Sequence, residues 1–276
     1  MPTCADSAPL FAWGERTFLV GILNLSPDSF SGDGICDPDV AVARAVQMAA
    51  DGADMIDIGG ESTRPGFVPV SVDEELRRTA TIIGCIAREL PTIPLSIDTT
   101  KPAVAEAAFD LGASILNDVH GLRGDPALAT LAAQRAATVI AMHNQRGRPP
   151  AGDPICALLD GFRSTLSVAR NVGIPQARVI LDPGFGFGWN LSENAAILRR
   201  LRELDVLNCP ILVGTSRKRM TGAQHDWGVD QRLEGTAATI AIAIANGADL
   251  VRVHDVAEMS RVARIADDIA RSSLDV

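Results

Sequence analysis

The chain has 276 residues, of which 47% are hydrophobic and 21% are charged, and its formal net charge is −9. This composition is typical of a globular protein with a sizeable core. Because the chain is acidic and has no basic block, we expect neither nucleic acid nor a membrane surface among its partners.

The N-terminus and the cysteines favour a cytoplasmic protein. The opening Met-Pro-Thr-Cys-Ala-Asp has no basic segment before an apolar stretch, and no apolar run approaches the roughly 18 residues of a membrane span. The five cysteines are widely spaced and include no Cys-x-x-Cys pair, which favours free thiols in a reducing compartment. We expect residues 1–12 to form a flexible extension.

In chain order, eight short apolar runs are typical of parallel strands covered on both faces. They lie at residues 17–23, 54–58, 94–97, 114–116, 138–142, 178–181, 210–213 and 249–253. Amphipathic segments that predict helices alternate with them, near residues 38–51, 72–90, 102–111, 126–135, 155–172, 192–203, 232–246 and 256–271. Asp37-Pro38 and Asp125-Pro126 are typical helix starts, and Ser71-Val-Asp-Glu74 is a capping-box pattern.

A faint repeat supports this alternation. Gly52-Ala-Asp54, Gly112-Ala-Ser114 and Gly247-Ala-Asp249 each end a helix and begin a strand, and glycine fits the left-handed helix stop. Eight such units predict an α/β fold, a (β/α)8 TIM barrel, as a single domain over residues 1–276. An open doubly wound sheet is the alternative, but it does not need polar residues after all eight strands.

Every predicted strand ends in a polar cluster, and the loops after strands are longer than those before them. A barrel gathers these C-terminal ends at one mouth, where the active site of such folds lies. The clusters are Asn24-Leu-Ser-Pro-Asp-Ser-Phe30, Asp57-Ile-Gly-Gly-Glu-Ser-Thr-Arg64, Ser96-Ile-Asp98, Asn117-Asp118, Met142-His143, Asp182-Pro-Gly-Phe-Gly-Phe-Gly188, Ser216-Arg-Lys218 and Arg252-Val-His254.

The cations of these clusters indicate an anionic ligand. Arg64, Arg217, Lys218, Arg252 and His254 would lie near the mouth, and guanidinium suits phosphate oxygens. A group such as diphosphate is the ligand that this set favours. For any one of these residues, pairing with a nearby acid such as Asp28, Glu61 or Asp255 stays open.

The acids and amides indicate a flat polar heterocycle. Asp57, Asp98, Asn117 and Asp182 close predicted strands, and a buried carboxylate needs a donor, which amidine-like ring N–H groups supply. Lys218 can donate to such a ring. For Asp57, internal pairing stays as open as ligand contact. The glycines at 184, 186 and 188 do not have dinucleotide spacing, and we expect them to permit close backbone approach, with Phe187 as an apolar wall.

In their order, the clusters resemble those of the dihydropteroate synthase family over about residues 17–256. The resemblance implies a (β/α)8 barrel that condenses 6-hydroxymethyl-7,8-dihydropterin diphosphate with 4-aminobenzoate and releases diphosphate. It also implies a homodimer and a sulfonamide target. The resemblance also implies that the catalytic residues are Lys218, Arg252 and Asp98.

The resemblance further implies a role for each matching position. The pterin would be held by Asp98, Asn117, Asp182 and Lys218, with Met142 packed near it. Asn24 would hold Mg²⁺ on the diphosphate, whose oxygens would meet Thr63, Arg64, Arg252 and His254. The aminobenzoate would lie among Thr63, Pro65, Phe187, Ser216 and Lys218.

Some positions depart from the family pattern. Trp189 stands where lysine is usual, which would remove a cation near the mouth and affect substrate affinity. Ser31-Gly-Asp-Gly34 has an altered order. Two other readings stay open: a methyltetrahydrofolate-type pterin methyltransferase, which has no diphosphate to bind, and a catalytically silent pterin-binding paralogue. A Schiff-base aldolase that uses Lys218 is less favoured.

Overall fold

A computed structural model describes residues 10–26, 37–62, 68–149, 152–222 and 225–271 of the chain. Strands and helices alternate as β1 (Phe18–Asn24), α1 (Pro38–Ala50), β2 (Met55–Gly59), α2 (Val72–Glu89), β3 (Leu95–Asp98), α3 (Pro102–Asp110), β4 (Ile115–Asp118), α4 (Pro126–Gln134), β5 (Thr138–Met142), α5 (Pro154–Val172), β6 (Val179–Asp182), α6 (Leu191–Arg199), β7 (Leu212–Val213), α7 (Leu233–Ala245), β8 (Leu250–Val253) and α8 (Val256–Ala270).

The eight strands form one parallel sheet that curls into a nearly closed barrel. Their order is β6-β5-β4-β3-β2-β1-β8-β7, so the first strand pairs with the last. The two ends meet where Leu181 of β6 pairs with Ile211 just before β7, and the Leu181 N–H donates to the carbonyl of Pro210 at 2.9 Å. The (β/α)8 prediction is confirmed against the open sheet.

The predicted helix starts are confirmed by their caps. The Asp37 carboxylate accepts the backbone N–H of Asp39 at 2.9 Å, and the Ser71 hydroxyl accepts that of Glu74 at 3.2 Å. Asp125 caps α4 in the same way, through the N–H of Ala127 at 2.9 Å. Each cap satisfies a donor that the first helical turn leaves unpaired.

One predicted helix is shorter than expected. We expected it over 192–203, but α6 ends at Arg199 and a 3-10 helix follows over Leu201–Leu207. The physical reason is the spacing of three between the buried Leu201, Leu204 and Leu207. This spacing puts all three on one side of a helix with three residues per turn, whereas an α-helix would rotate them apart.

The lower half of the barrel interior is an apolar floor. Its side chains are buried and come from seven of the eight strands: Phe18, Val20, Met55, Ile115, Ile140, Ile180, Leu212 and Leu250. A second, larger core lies between the sheet and the ring of helices. With the lower half filled, only the upper half of the interior is left for a ligand.

The segment before β1 covers this floor. Phe11 stacks on Phe18 with 4.3 Å between ring centroids, and Leu10 and Trp13 pack beside them. We expected residues 1–12 to be a flexible extension. Residues 1–9 lie outside the described part of the chain, but Leu10 and Phe11 belong to the packed barrel because they shield its apolar floor from water.

Across the described ranges, no helix combines the length and the apolarity needed to cross a bilayer.

Candidate active site

The polar residues of the barrel stand directly above its floor. Side chains two positions apart on a strand point to the same face, so each floor residue has a successor higher in the interior. On four strands the residue two positions after the floor residue is polar. Asp57 follows Met55, Asn117 follows Ile115, Asp182 follows Ile180, and Arg252 follows Leu250. We call Asp57, Asp98, Asn117, Asp182 and Arg252 the polar layer.

A cation at the centre of the polar layer forms hydrogen bonds to two acids. The Arg252 Nε donates to Asp57 Oδ2 at 2.6 Å, and its Nη2 donates to Asp98 Oδ2 at 3.1 Å. Asn117 Nδ2 also donates to Asp57 Oδ2, at 2.9 Å. Asp57 is fully buried and its Oδ2 is paired internally, while its Oδ1 is a buried atom without a hydrogen-bond partner among the described residues. Asp57 therefore orients Arg252 and Asn117.

The acid nearest the opening has an unusual proton affinity. Burial, and then the neighbouring Asp57 carboxylate, raise the pKa of Asp98 to about 7, although the Arg252 charge opposes this shift. Its side chain keeps 13% of its accessible surface, whereas that of Asp57 keeps none. Asp98 therefore faces the space above the polar layer and changes charge near neutral pH.

Across the mouth, Asp182 and Lys218 act on each other through their charges. Burial raises the pKa of Asp182, against the charge of Lys218, and the Gly184 N–H donates to Asp182 Oδ1 at 2.8 Å. Burial lowers the pKa of Lys218 to about 8, against the charge of Asp182. The Lys218 Nζ donates to the carbonyl of Phe185 at 2.7 Å, so one of its three donors is used.

Lys218 is positioned by the residue before it. Arg217 has a left-handed backbone with φ of 56°, which a non-glycine residue adopts only under constraint. Its N–H donates to Thr236 Oγ1 at 3.1 Å, its carbonyl accepts Arg232 Nη1 at 2.9 Å, and its guanidinium pairs with Asp255 at 2.5 and 3.0 Å. Of the two possibilities left open for Arg217, the structure has the ion pair with Asp255. Arg217 therefore holds the loop after β7 in place.

Ser216 and His254 lie together at the same side of the mouth. Ser216 Oγ is 2.9 Å from His254 Nδ1, and both residues are buried. The pair links the loop after β7 to the end of β8. It brings together two residues that the sequence assigned to aminobenzoate and to diphosphate.

An apolar wall completes the mouth. Met142 and Phe187 form a small buried cluster with Val119. Two cations lie over the Phe187 ring, with the Arg146 guanidinium carbon 4.3 Å and the Lys218 Nζ 4.9 Å from its centroid. Phe187 is therefore a wall of the mouth, as predicted. The sequence analysis did not single out Arg146, although the position of Arg146 in a loop after a strand could have indicated that it faces the mouth.

The glycines of the loop after β6 permit close approach of backbone, as predicted. Gly184 has φ of +74°, and a Cβ there would overlap the carbonyl oxygen of His143. Gly188 has φ of +96° and lies against the backbone of Gln145 and Arg146 in the same way. The two loops after β5 and β6 consequently pack backbone to backbone.

Trp189 does not face the mouth. It is 6% exposed, stacks on His143 with 5.5 Å between ring centroids, and donates from Nε1 to the carbonyl of Pro183 at 3.0 Å. The expected effect of Trp189 on substrate affinity therefore has no direct contact to act through. Its indole instead packs the loops after β5 and β6 together.

A buried ion network, which the sequence did not indicate, lies under the loop after β2. Lys101 Nζ donates to Glu61 Oε2 at 2.8 Å and to Glu75 Oε2 at 2.6 Å, and Glu61 Oε2 also accepts the N–H of Val70 at 2.7 Å. Thr63, Arg64 and Pro65, and the Ser31-Gly-Asp-Gly34 segment, lie outside the described residues. Asn24 ends β1, half-buried at the mouth.

The chain was compared with known proteins. The family model described as pterin binding enzyme matches residues 20–254. The chain is 42% identical over 257 residues to the dihydropteroate synthase of Bacillus subtilis, which covers 93% of this chain and 90% of that protein.

Two solved structures have the same fold. A Clostridium difficile dihydropteroate synthase, solved in the presence of pteroic acid, superposes with a TM-score of 0.90 and 45% identity and covers 95% of this chain and 100% of its own. The Yersinia pestis enzyme with a sulfonamide drug gives 0.90 and 37%, with 96% and 100% covered. These likenesses do not favour the methyltransferase reading. The chain belongs to the pterin-binding enzyme family, among its dihydropteroate synthases.

Proposed function

We propose that the protein condenses 6-hydroxymethyl-7,8-dihydropterin diphosphate with 4-aminobenzoate to give 7,8-dihydropteroate and diphosphate. The observation that carries this proposal is the polar layer, in which acid and amide groups face one mouth beside Lys218. The Clostridium difficile relative in the presence of pteroic acid supports the same substrate class.

The polar layer matches the edge of a pterin. Asp98 and Asp182 supply carboxylate acceptors for the ring amino and N–H groups, and Lys218 supplies donors for a ring nitrogen or carbonyl. Asn117 is oriented by its bond to Asp57. Met142 and Phe187 offer apolar surface to the ring faces. The Arg252 charge opposes the raised pKa of Asp98 beside the ligand.

The diphosphate would lie above the C-terminal ends of β2, β1 and β8, which are neighbours in the barrel. His254 directly follows β8, and Thr63 and Arg64 belong to the segment after β2 that lies outside the described residues. Among the described residues, no group of three or more His, Cys, Asp or Glu side chains could hold a metal ion. Asn24 fits Mg²⁺ because this ion binds substrate phosphates with few protein ligands and keeps several waters. When bound, Mg²⁺ would neutralise charge that develops on the leaving diphosphate.

The chain's residues would act mainly by positioning and by charge. The bond between the pterin methylene carbon and the diphosphate oxygen breaks, and the electron pair leaves with the diphosphate. The electron-rich ring shares the positive charge on the methylene carbon, which the arylamine nitrogen then attacks before losing a proton. Ser216 and Lys218 would hold the amine substrate, while Arg252 and His254 would stabilise leaving-group charge.

Release of diphosphate tests this function directly. Incubation with the pterin diphosphate, 4-aminobenzoate and Mg²⁺ is expected to give diphosphate at a rate that saturates with both substrates. The control omits 4-aminobenzoate. Release that is absent, or that does not depend on the amine, would rule out the synthase and leave the silent pterin-binding paralogue.

The activity is expected to have a bell-shaped pH profile. The acid limb of kcat/KM should lie near pH 7, because Asp98 must lose its proton to accept from the pterin. The alkaline limb should lie near pH 8, because Lys218 must keep its proton to donate. Measured from pH 5.5 to 9.5, Asp98→Asn should lower activity and remove the acid limb. A wild-type limb that persists in this variant would exclude Asp98 as its source.

We propose that the protein is a homodimer. Ile265 and Ile269 are 61% and 74% exposed one turn apart on α8, and Ile242 of the neighbouring α7 is 44% exposed. An exposed apolar surface of this kind is typical of an interface. Light scattering should give a dimer for the wild type and a monomer for Ile265→Asp/Ile269→Asp. Ala127→Asp, exposed on α4 across the barrel, should stay dimeric, and a wild-type monomer would exclude the proposal.

A cytoplasmic location is also proposed, supported by the thiols of Cys85, Cys156 and Cys209, which are free.

A further inference from the structure

Arg232 is a buried cation at the end of the loop between β7 and α7. It directly precedes α7 and is 9% exposed. Its Nη1 donates to the backbone carbonyl of Arg217 at 2.9 Å, and its Nε and Nη2 donate to that of Trp227 at 3.2 and 3.1 Å. A planar fork of donors can hold two carbonyls at once. Arg232 thus joins two separate parts of the loop after β7.

Arg232 and a threonine of α7 hold both backbone groups of Arg217. The Arg217 carbonyl accepts from Arg232, and the Arg217 N–H donates to Thr236 Oγ1 at 3.1 Å. The Thr236 hydroxyl in turn donates to the carbonyl of Arg232 at 2.7 Å. Arg217 has φ of 56°, a left-handed backbone that a non-glycine residue keeps only where its surroundings enforce it. The bonds to Arg232 and Thr236 supply that constraint.

The turn after Lys218 is held against the same helix. The N–H and the hydroxyl of Thr221 both donate to the Lys218 carbonyl, at 2.9 and 2.7 Å. A Cβ at Gly235 of α7 would overlap the Thr221 carbonyl oxygen, so a glycine is needed for this turn to lie directly on the helix. The backbone on both sides of Lys218 is therefore fixed by the start of α7.

We propose that Arg232 is a positioning residue for Lys218. By holding the Arg217 carbonyl, it keeps the left-handed turn that points the Lys218 amine at the loop after β6. The amine donates there to the carbonyl of Phe185 at 2.7 Å and lies 4.9 Å from the ring centroid of Phe187. A rotation of the peptide before Lys218 would move the amine away from both. The kinetic consequence rests on the proposed function, whereas the direction of the amine does not.

Arg232→Met tests this role, because methionine keeps an apolar stem but removes all the donors. Competitive acetylation with acetic anhydride, resolved by mass spectrometry across a pH series, reports the pKa of each lysine amine, and Lys101 serves as the internal reference. Burial lowers the pKa of Lys218 to about 8. An amine that leaves this site becomes hydrated, so the pKa of Lys218 should rise toward the ordinary value of a lysine. Four charged groups also act on this pKa: Asp182, Arg252, Arg146 and Asp98.

The same variant should lower kcat/KM for the pterin diphosphate by about tenfold or more. A displacement of about 1 Å in a positioned group can cost as much as a hundredfold. Arg219→Met, exposed in the same loop, should keep the wild-type labelling and kinetics. The pKa of Lys101 should stay at its wild-type value in both variants.

A matched pair at Thr236 decides the question if Arg232→Met does not fold. Thr236→Val removes the hydroxyl that accepts the Arg217 N–H at nearly constant volume, and Thr236→Ser keeps it. Only the valine variant should raise the pKa of Lys218. A wild-type pKa of Lys218 in folded Arg232→Met, or in Thr236→Val where Arg232→Met does not fold, would overturn the proposal. Because labelling needs no substrate, a protein without synthase activity would refute the proposed function and leave this test intact.

Discussion

Lys218→Met is expected to lower kcat/KM by about a hundredfold or more, the loss typical of removing one preorganised charged donor from an active site. Lys218 is the cation between Asp182 and the wall of Phe187, and its lowered pKa of about 8 still leaves it mostly protonated at pH 7. Methionine keeps the unbranched apolar stem, one atom shorter, but removes all three donors. The loss should therefore appear in kcat as well as in the KM for the pterin.

The neighbouring arginine provides a matched control. Arg219 is exposed one residue further along the same loop, and Arg219→Met should keep wild-type kinetics. Circular dichroism and urea unfolding should show that both variants fold. Wild-type kcat/KM in Lys218→Met would remove this residue from substrate binding and from catalysis.

Arg252→Gln is expected to lose activity and also to destabilise the fold. Arg252 is the counter-charge of Asp57, which is fully buried, and of Asp98. Removing one partner of a buried ion pair leaves an uncompensated charge, which typically costs about 3–5 kcal/mol. Urea unfolding at pH 7.5 should show a lower midpoint with an unchanged slope, since the surface exposed on unfolding does not change.

A double variant separates stability from activity. Asp57→Asn removes the buried charge, so Asp57→Asn/Arg252→Gln should recover much of the lost stability without recovering turnover. This outcome would show that the destabilisation comes from the unpaired carboxylate. An Arg252→Gln protein that unfolds at the wild-type urea concentration would contradict the pairing of Arg252 with Asp57.

The barrel could be predicted from the sequence because its signals are local. Apolar runs, proline-marked helix starts and the Gly-Ala-Asp junctions each depend on a few neighbouring residues. The end of α6 was missed because the choice between helix types depended on which of Leu201, Leu204 and Leu207 the core would bury. That choice is made by tertiary packing, which can override a local pattern.

The candidate site was predictable as a set of residues but not as a set of contacts. Strand ends place Asp98, Asn117, Asp182 and Arg252 at one mouth in any such barrel. The direction of the Arg217 side chain could not be predicted from the sequence, because its left-handed backbone depends on partners from α7 and from the end of β8. The packing of Trp189 on His143 likewise joins two loops that are far apart in sequence.

The lowered pKa of Lys218 also makes this residue chemically distinctive. The whole chain contains only two lysines, and the other, Lys101, is held between Glu61 and Glu75, whose hydrogen bonds raise its pKa despite burial. At pH 8 about half of the Lys218 amines would be neutral and nucleophilic, while Lys101 would stay charged. An aldehyde or activated ester of pterin-like shape would thus meet one reactive side-chain amine, which makes Lys218 an attachment point for covalent inhibitors.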